Sequence, residues 1–322
     1  MAGGAILEIL SPGALTTVQD LGRYGYGRYG VAPSGALDSF SLRIANLLVG
    51  NRENQAGLEI MLLGPRIKIL TDIAIAVTGG NLVPQRNNQP IEMWRAHGLK
   101  KDDILSFKTP LSGSGFRAYL AVGGGIGVPS VMNSRSTNLP SGLGGYQGRP
   151  IKKNDILSSE LSGVNPDVAG RTFNSDWIPH YPKKWTLRVI WGPQDDHFPE
   201  DSRKLFLSAA YIMSSESDRT GIRLQGAAID RKPDIEESII SEGVISGSIQ
   251  IPGDGKPIII LGETVTGGYR KIATVISADL PYLGQIKPGD EIRFEVVSQE
   301  SALHALHDLE NKIKVFKGSL RI

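Results

Sequence analysis

The chain has no cysteine, and that one absence removes disulfides, a thiol nucleophile and thiolate metal sites together. Long apolar runs are missing as well. Ile73 to Val77 and Ile258 to Leu261 are among the longest, far short of the ~20 residues a helix needs to cross a bilayer. Neither sign of charge dominates: 35 Lys and Arg stand against 33 Asp and Glu, a net charge of +2, with no basic block of the kind nucleic acid attracts. Met1 to Leu10 lacks a basic segment, and Glu8 interrupts its apolar run, so it does not read as a secretory signal. Together these absences predict a cytoplasmic protein with no membrane and no nucleic-acid partner. Several catalytic signatures are also missing. There is no G-x-x-x-x-G-K-[ST] loop for a nucleotide, no G-x-S-x-G and no serine-rich amidase signature. None of the five methionines is followed by lysine, so the chain carries no Met-Lys-Met biotin-attachment motif.

What is abundant is glycine, 39 of 322 residues, between short runs rich in Ile and Val. Examples are Arg66 to Leu70, Ile73 to Val77, Ala118 to Val122, Leu187 to Ile190, Pro257 to Leu261 and Glu291 to Val296. Strands joined by tight turns follow, and with them a mainly β fold of barrels or sandwiches. One pattern recurs three times: Leu99-Lys-Lys-Asp-Asp-Ile-Leu105, Ile151-Lys-Lys-Asn-Asp-Ile-Leu157 and Ile286-Lys-Pro-Gly-Asp-Glu-Ile292. Each is a polar turn ending in Asp that launches a strand. Helices are few. The clearest runs from about Asp38 to Val49, with Phe40, Ile44, Leu47 and Leu48 on one face, Asp38 as N-cap and Gly50 as stop. Shorter ones are expected over Glu200 to Ala210 and Gln299 to Leu309. The length predicts two domains. The Gly, Ser, Asn and Pro residues between Ser158 and Lys184 mark the join, giving domains at 1–160 and 185–322 with a linker over 161–184.

Candidate chemistry gathers in glycine-punctuated loops. Leu10-Ser-Pro-Gly-Ala-Leu-Thr-Thr-Val-Gln-Asp-Leu-Gly-Arg23 and Val31-Ala-Pro-Ser-Gly-Ala-Leu-Asp38 hold Gln19, Asp20, Arg23, Ser34 and Asp38 before the first helix. Asp20 and Arg23 either orient a substrate carboxylate or phosphate or pair with each other to pin the loop. Asp38 is either a cap or a site carboxylate. Arg135, Ser136 and Thr137 follow a glycine-rich turn and either cradle an anion or close a plain turn. In Gly142-Leu-Gly-Gly-Tyr146 the glycines admit close approach of a ligand that Tyr146 covers, or simply a tight turn. In the second half Asp218, Arg219 and Arg223 match Asp20 and Arg23 in chemical type. Glu242, between Ser241 and Gly243, is the carboxylate best placed to be a general base, or else a surface turn residue. Lys271 lies in an apolar run after Gly267-Gly-Tyr269 and either points out of a barrel or serves a site. The histidines suggest no metal: His304 and His307 stand i,i+3 on a solvated helix face, and His97, His180 and His197 lack companions.

These segments, with Gly124-Gly-Ile-Gly-Val-Pro129, Ser134-Arg-Ser-Thr-Asn138, Ser217-Asp-Arg-Thr-Gly-Ile-Arg-Leu224 and Gly267-Gly-Tyr-Arg-Lys-Ile-Ala-Thr-Val-Ile-Ser-Ala-Asp-Leu-Pro281, occur in one order across about residues 8 to 297. The chain thereby resembles the family that contains the C subunit of 5-oxoprolinase, the KipI antagonist and the second component of allophanate hydrolase, which shares subdomains A and B of biotin-dependent carboxyltransferases. The resemblance implies a fold of two cyclophilin-like β-barrel units with a few short helices. It also implies a partner similar to KipI or to the B subunit of 5-oxoprolinase, a third 5-oxoprolinase subunit, and ATP-dependent hydrolysis of 5-oxoproline to L-glutamate. ATP would be bound here, at an interface or on another subunit. Under that reading Arg23, Arg135, Arg219 and Lys271 are candidates to stabilise charge, and Asp38, Asp218 or Glu242 to supply a base. Gln19, Asp20, Ser34, Ser136, Thr137, Tyr146, Arg223 and Tyr269 would contact substrate. Two other activities go with the same resemblance. One is a urea-carboxylase-like carboxyltransferase using carboxybiotin carried on another chain; the other is a non-catalytic antagonist of a kinase inhibitor. Many relatives have proline where this chain has Arg270, a departure that puts the local turn in doubt.

Overall fold

The computed structural model describes residues 3–108, 115–161 and 168–320. They divide into two compact units. The first holds the chain up to Arg23, then Ser34–Tyr181, and the residues from Lys312 on; the second holds Tyr24–Pro33 and Pro182–Asn311. The stretch expected as a linker therefore differs from its composition-based reading. Residues 162–167 of it lie outside the described residues, but Val168 and Phe173 are buried, with the Phe173 ring stacked 5.7 Å from Trp94. Its polar character misled because two apolar side chains suffice to dock a short segment.

Both units are mainly β. In the first, a seven-stranded sheet includes Ala5–Ser11, Arg66–Ile69, Ile104–Phe107 and Ile156–Ser159. A five-stranded sheet runs Leu15–Gln19, Gly57–Met61, Arg117–Val122, Ile73–Gly79 and Ala96–Leu99. The inner strands Ile73–Gly79 and Arg117–Val122 are buried along their whole length, which is why they read as continuous apolar runs rather than alternating ones. The helix Ser39–Leu48 packs on these two strands. It is buried nearly all round, beyond the single face its periodicity suggested. Its polar members are satisfied internally: Asn46 Nδ2 donates to the Gln55 carbonyl at 2.7 Å.

The second unit closes into a barrel of seven strands. Lys184–Trp191 pairs in parallel with Glu291–Val296, Leu187 opposite Phe294, and that pairing joins the ends of an otherwise antiparallel sheet. Here the alternation is clean: Trp185, Leu187 and Val189 are buried between more exposed neighbours. Phe294 stacks on Phe206 of the helix Glu200–Ser208 at 4.5 Å. The last helix, Gln299–Ser319, runs on for ten residues past the expected end at Leu309.

The threefold sequence pattern folds the same way each time. Asp103, Asp155 and Asp290 each accept a hydrogen bond from the backbone N–H three residues earlier, at 2.7, 2.6 and 3.2 Å. The residue before each, Asp102, Asn154 or Gly289, has φ of 70°, 71° or 89°. Asp, Asn and Gly are the residue types that enter this left-handed region most readily. Each turn then brackets a neighbouring strand residue, Ile69, Ile9 or Met213, through a reciprocal pair of backbone bonds. A seven-residue signature thus encodes strand entry in both units.

Candidate functional site

In the first unit, seven of the expected site residues do meet, Arg135 through its backbone N–H. Asp20 lies just after the strand Leu15–Gln19 and is buried. Its carboxylate accepts from Ser134 Oγ at 2.7 Å, Ser136 Oγ at 2.5 Å, the Arg135 N–H at 2.6 Å and the Gly22 N–H at 2.8 Å. The cradle that the sequence offered to an external anion is therefore filled by the chain's own carboxylate. Thr137 is committed likewise, donating from Oγ1 to the Val18 carbonyl at 2.9 Å. Arg23 does not pair with Asp20. It is fully buried and donates to Ser34 Oγ at 3.2 Å and to the Ser136 carbonyl. Ser34, held at φ 57°, also accepts from Asn138 Nδ2 at 3.0 Å, and Gln19 donates to the Thr137 carbonyl at 3.1 Å.

Gly144 and Gly145 explain their own loop. A β-carbon on Gly144 would overlap the Ser136 carbonyl and the Arg23 guanidinium, and one on Gly145 would overlap Thr137 Oγ1. The close approach these glycines permit is to the Ser136–Thr137 backbone, not to a ligand. Tyr146 packs against the apolar core with Arg149 over its ring at 5.1 Å. The Arg135 side chain turns outward to Glu160 at 2.7 Å. Asp38 is a helix cap: buried, it accepts from the Ser41 N–H at 2.9 Å and Ser41 Oγ at 2.6 Å. Its own N–H donates to Tyr119, whose hydroxyl donates to Glu59 at 2.8 Å. Burial, then the Glu59 and Asp38 charges, push the Tyr119 hydroxyl's pKa well up, so it stays protonated as a donor.

The second unit treats its candidates differently. Asp218 is exposed and caps its own turn, accepting from the Thr220 N–H at 2.7 Å. Arg219 is buried against Glu263 at 2.6 Å, while Arg223 is exposed. The likeness in residue type between Asp20 with Arg23 and Asp218 with Arg219 therefore does not extend to their contacts. By contrast, Lys271 and Glu242, named separately from sequence, form one cluster. Lys271, in the strand Arg270–Val275, directs Nζ to Glu242 Oε1. Gln194 completes it: Nε2 donates to the same Glu242 oxygen at 2.8 Å, and Oε1 accepts the Lys271 N–H at 3.0 Å. The Lys271 ammonium holds the Glu242 carboxyl below its ordinary pKa, with Gln194 adding to the effect. Such a carboxylate is charged but weakly basic, opposite to what a general base at neutral pH requires. Tyr269 stands half-exposed two residues away, its carbonyl accepting from Gln250 Nε2 at 3.3 Å. Arg270 is buried and donates to the carbonyls of Glu236 and Ser238 and to His197 Nδ1, the last at 2.9 Å.

Sequence reasoning missed Gln194, Glu263 and the link between Lys271 and Glu242. Gln194 follows the strand-ending Trp191-Gly-Pro193, a turn signal without chemical content. Among the described residues no three His, Asp or Glu side chains are grouped to hold a metal ion, and no helix is long and apolar enough to cross a membrane.

A family model described as carboxyltransferase domain, subdomain A and B, matches residues 29–296. The chain is 38% identical to the C subunit of 5-oxoprolinase from Escherichia coli (strain K12), over 94% of this chain and 95% of that protein. It is 33% identical to the protein of the same name from Haemophilus influenzae, over 98% of each. The crystal structure of the K. lactis urea amidolyase superposes with a TM-score of 0.90 at 34% identity, over 98% of this chain. The chain spans only a fifth, 20%, of that longer one.

Proposed function

Because the chain belongs to the family of carboxyltransferase domains, subdomains A and B, we propose that it is one subunit of an ATP-dependent 5-oxoprolinase, hydrolysing 5-oxoproline to L-glutamate. The observation that carries this reading is the end-to-end similarity to two proteins named as the C subunit of 5-oxoprolinase, covering 95% and 98% of their lengths. A protein similar to KipI or to the B subunit of 5-oxoprolinase, and a third subunit, would complete the assembly in the cytoplasm. The second-unit cluster of Gln194, Glu242 and Lys271 supports a role in handling substrate, since it presents a cation and an amide donor beside a half-exposed carboxylate.

Nucleotide binding is better assigned to another subunit. Arg135 and Arg219 are each paired with a carboxylate, Glu160 and Glu263, and Arg23 is spent on Ser34 and Ser136. The Ser134–Thr137 donors face Asp20 and Val18. A triphosphate would have to displace these partners, so the residues present do not fit it. A second reading, a carboxyltransferase component accepting carboxybiotin from another chain, is favoured by the TM-score of 0.90 to the urea amidolyase structure.

The deciding experiment is glutamate release from 5-oxoproline and ATP, with this chain mixed with its two partner subunits and with each omitted in turn. Release that needs all three supports the reading. No release, with carboxyl transfer to urea from a biotinylated carrier, would replace it with the second.

A further inference from the structure

Lys271 and Glu242 form an unequal pair. The lysine side chain is 8% exposed and fixed in a barrel strand, whereas the glutamate is 44% exposed. Glu242 sits on a two-residue strand, Glu242–Gly243, which pairs with Thr266–Gly267, is flanked by backbone bonds from Ile239 to Gly268 and from Val244 to Val265, and is not a stave of the barrel. This flap carries apolar side chains in solvent on either side, Ile240 at 95% and Ile245 at 67% exposure. Beside Gly243 there is open space, since an added β-carbon would meet nothing within 4 Å. The root of the flap is tied down by Arg270, through the carbonyls of Glu236 and Ser238. A buried cation in a barrel strand thus faces a half-exposed carboxylate on a short hairpin outside the barrel.

The donors are arranged as a carboxylate receptor. Lys271 Nζ and Gln194 Nε2 both donate to Glu242 Oε1, and Gln194 is oriented for this by accepting the Lys271 backbone N–H. A charged ammonium with a carboxamide N–H beside it is a strong match for one carboxylate group. Burial of Lys271 makes an unpaired state costly, so an acceptor oxygen is favoured at this position, and a carboxylate most of all. We infer that Glu242 is a displaceable stand-in, and that Lys271 and Gln194 bind the carboxylate of a small cyclic-amide acid while the Glu242 flap swings away.

This inference rests on the 5-oxoprolinase reading for the identity of the ligand but not for the carboxylate subsite. Calorimetric titration of the full chain, alone and mixed with its partner subunits, tests it with three probes: 5-oxoproline, 2-pyrrolidinone, which is the same lactam without the carboxylate, and acetate. Glu242→Gln removes the competitor's charge and should tighten 5-oxoproline about fivefold, the factor that a half-exposed ion pair carries. Lys271→Met, which keeps the bulk of the side chain, should weaken it by more than about tenfold. Gln194→Leu should fall between, and 2-pyrrolidinone should respond to none of the three. Binding of 5-oxoproline that ignores all three variants would overturn the subsite while leaving the 5-oxoprolinase reading intact. Acetate responding as described while 5-oxoproline fails to bind would support the subsite and overturn the ligand's identity. If neither carboxylate binds the wild-type chain or the Glu242→Gln variant, alone or in the complex, the subsite is wrong. Thermal unfolding of Glu242→Gln close to wild type confirms that the changes are not loss of fold.

Discussion

Replacing Asp20 tests whether the loop cluster of the first unit is architecture or binding site. Its carboxylate accepts four hydrogen bonds, from Ser134, Ser136, and the N–H groups of Arg135 and Gly22, while being 6% exposed. Hydrogen bonds to a charged acceptor contribute roughly 1.5–3 kcal/mol each, and buried donors left unpaired cost about 1–3 kcal/mol each. These losses are not additive, and water can enter the space an alanine leaves. About 4 kcal/mol for Asp20→Ala is the resulting expectation, in the tail of single-mutant effects reserved for broken buried networks. For a unit of roughly 150–250 residues, each kcal/mol moves the melting temperature by about 2–4 °C, so the first unit should melt roughly 8–16 °C lower. Asp20→Asn should cost about half as much, because its amide keeps one acceptor and turns a donor toward donors. Calorimetry gives the shift, and amide exchange along Leu15–Gln19 assigns it to this unit. Melting within about 2 °C of wild type, with exchange unchanged, would refute the structural account. Loss of ligand binding without loss of stability would restore Asp20 as a binding residue.

Arg219→Met leaves Glu263 charged and buried, and should cost about 3–5 kcal/mol; adding Glu263→Leu should recover part of it, and a double variant no better than the single in urea unfolding would contradict this. Gly145→Ala forces a β-carbon onto Thr137 at φ 55° and should destabilise by about 2 kcal/mol or more, whereas Gly243→Ala, with open space around it, should be within about 0.5 kcal/mol of wild type. Thermal melts of the two variants separate those outcomes. Burial pushes the Glu53 carboxyl's pKa up, but hydrogen bonds from Lys317 and Arg43 outweigh it, and the pKa lies below its ordinary value of 4.5. A lowered folded-state pKa stabilises above the unfolded value and ceases to as pH falls through the folded one. The docked end of the last helix, held by Phe316 on Phe173 at 4.9 Å and Lys317 on Glu53 at 2.9 Å, should therefore exchange faster below pH 4.5, and at neutral pH in Phe316→Ala. Exchange at 312–319 indifferent to both would exclude this anchoring.

What the chain's order of residues determined by itself was whatever acts over a few positions. The Asp38 cap, the first helix and the three Asp-ended turns follow from hydrogen bonds spanning three or four residues, and the strand runs follow from patterning at period two or from burial on both faces. Family membership was legible from the order of the glycine-rich segments along the chain. Tertiary structure alone decided where the polar side chains went. Asp20 meets Ser136 across 116 positions and Arg219 meets Glu263 across 44. Each is therefore a network member rather than a free site group. Lys271 and Glu242 were visible as residue types, but only strand pairing of Glu242 with Gly267 and the turn carrying Gln194 bring them to one point. A buried charge or donor takes whichever partner chain closure delivers, and residue type cannot say which.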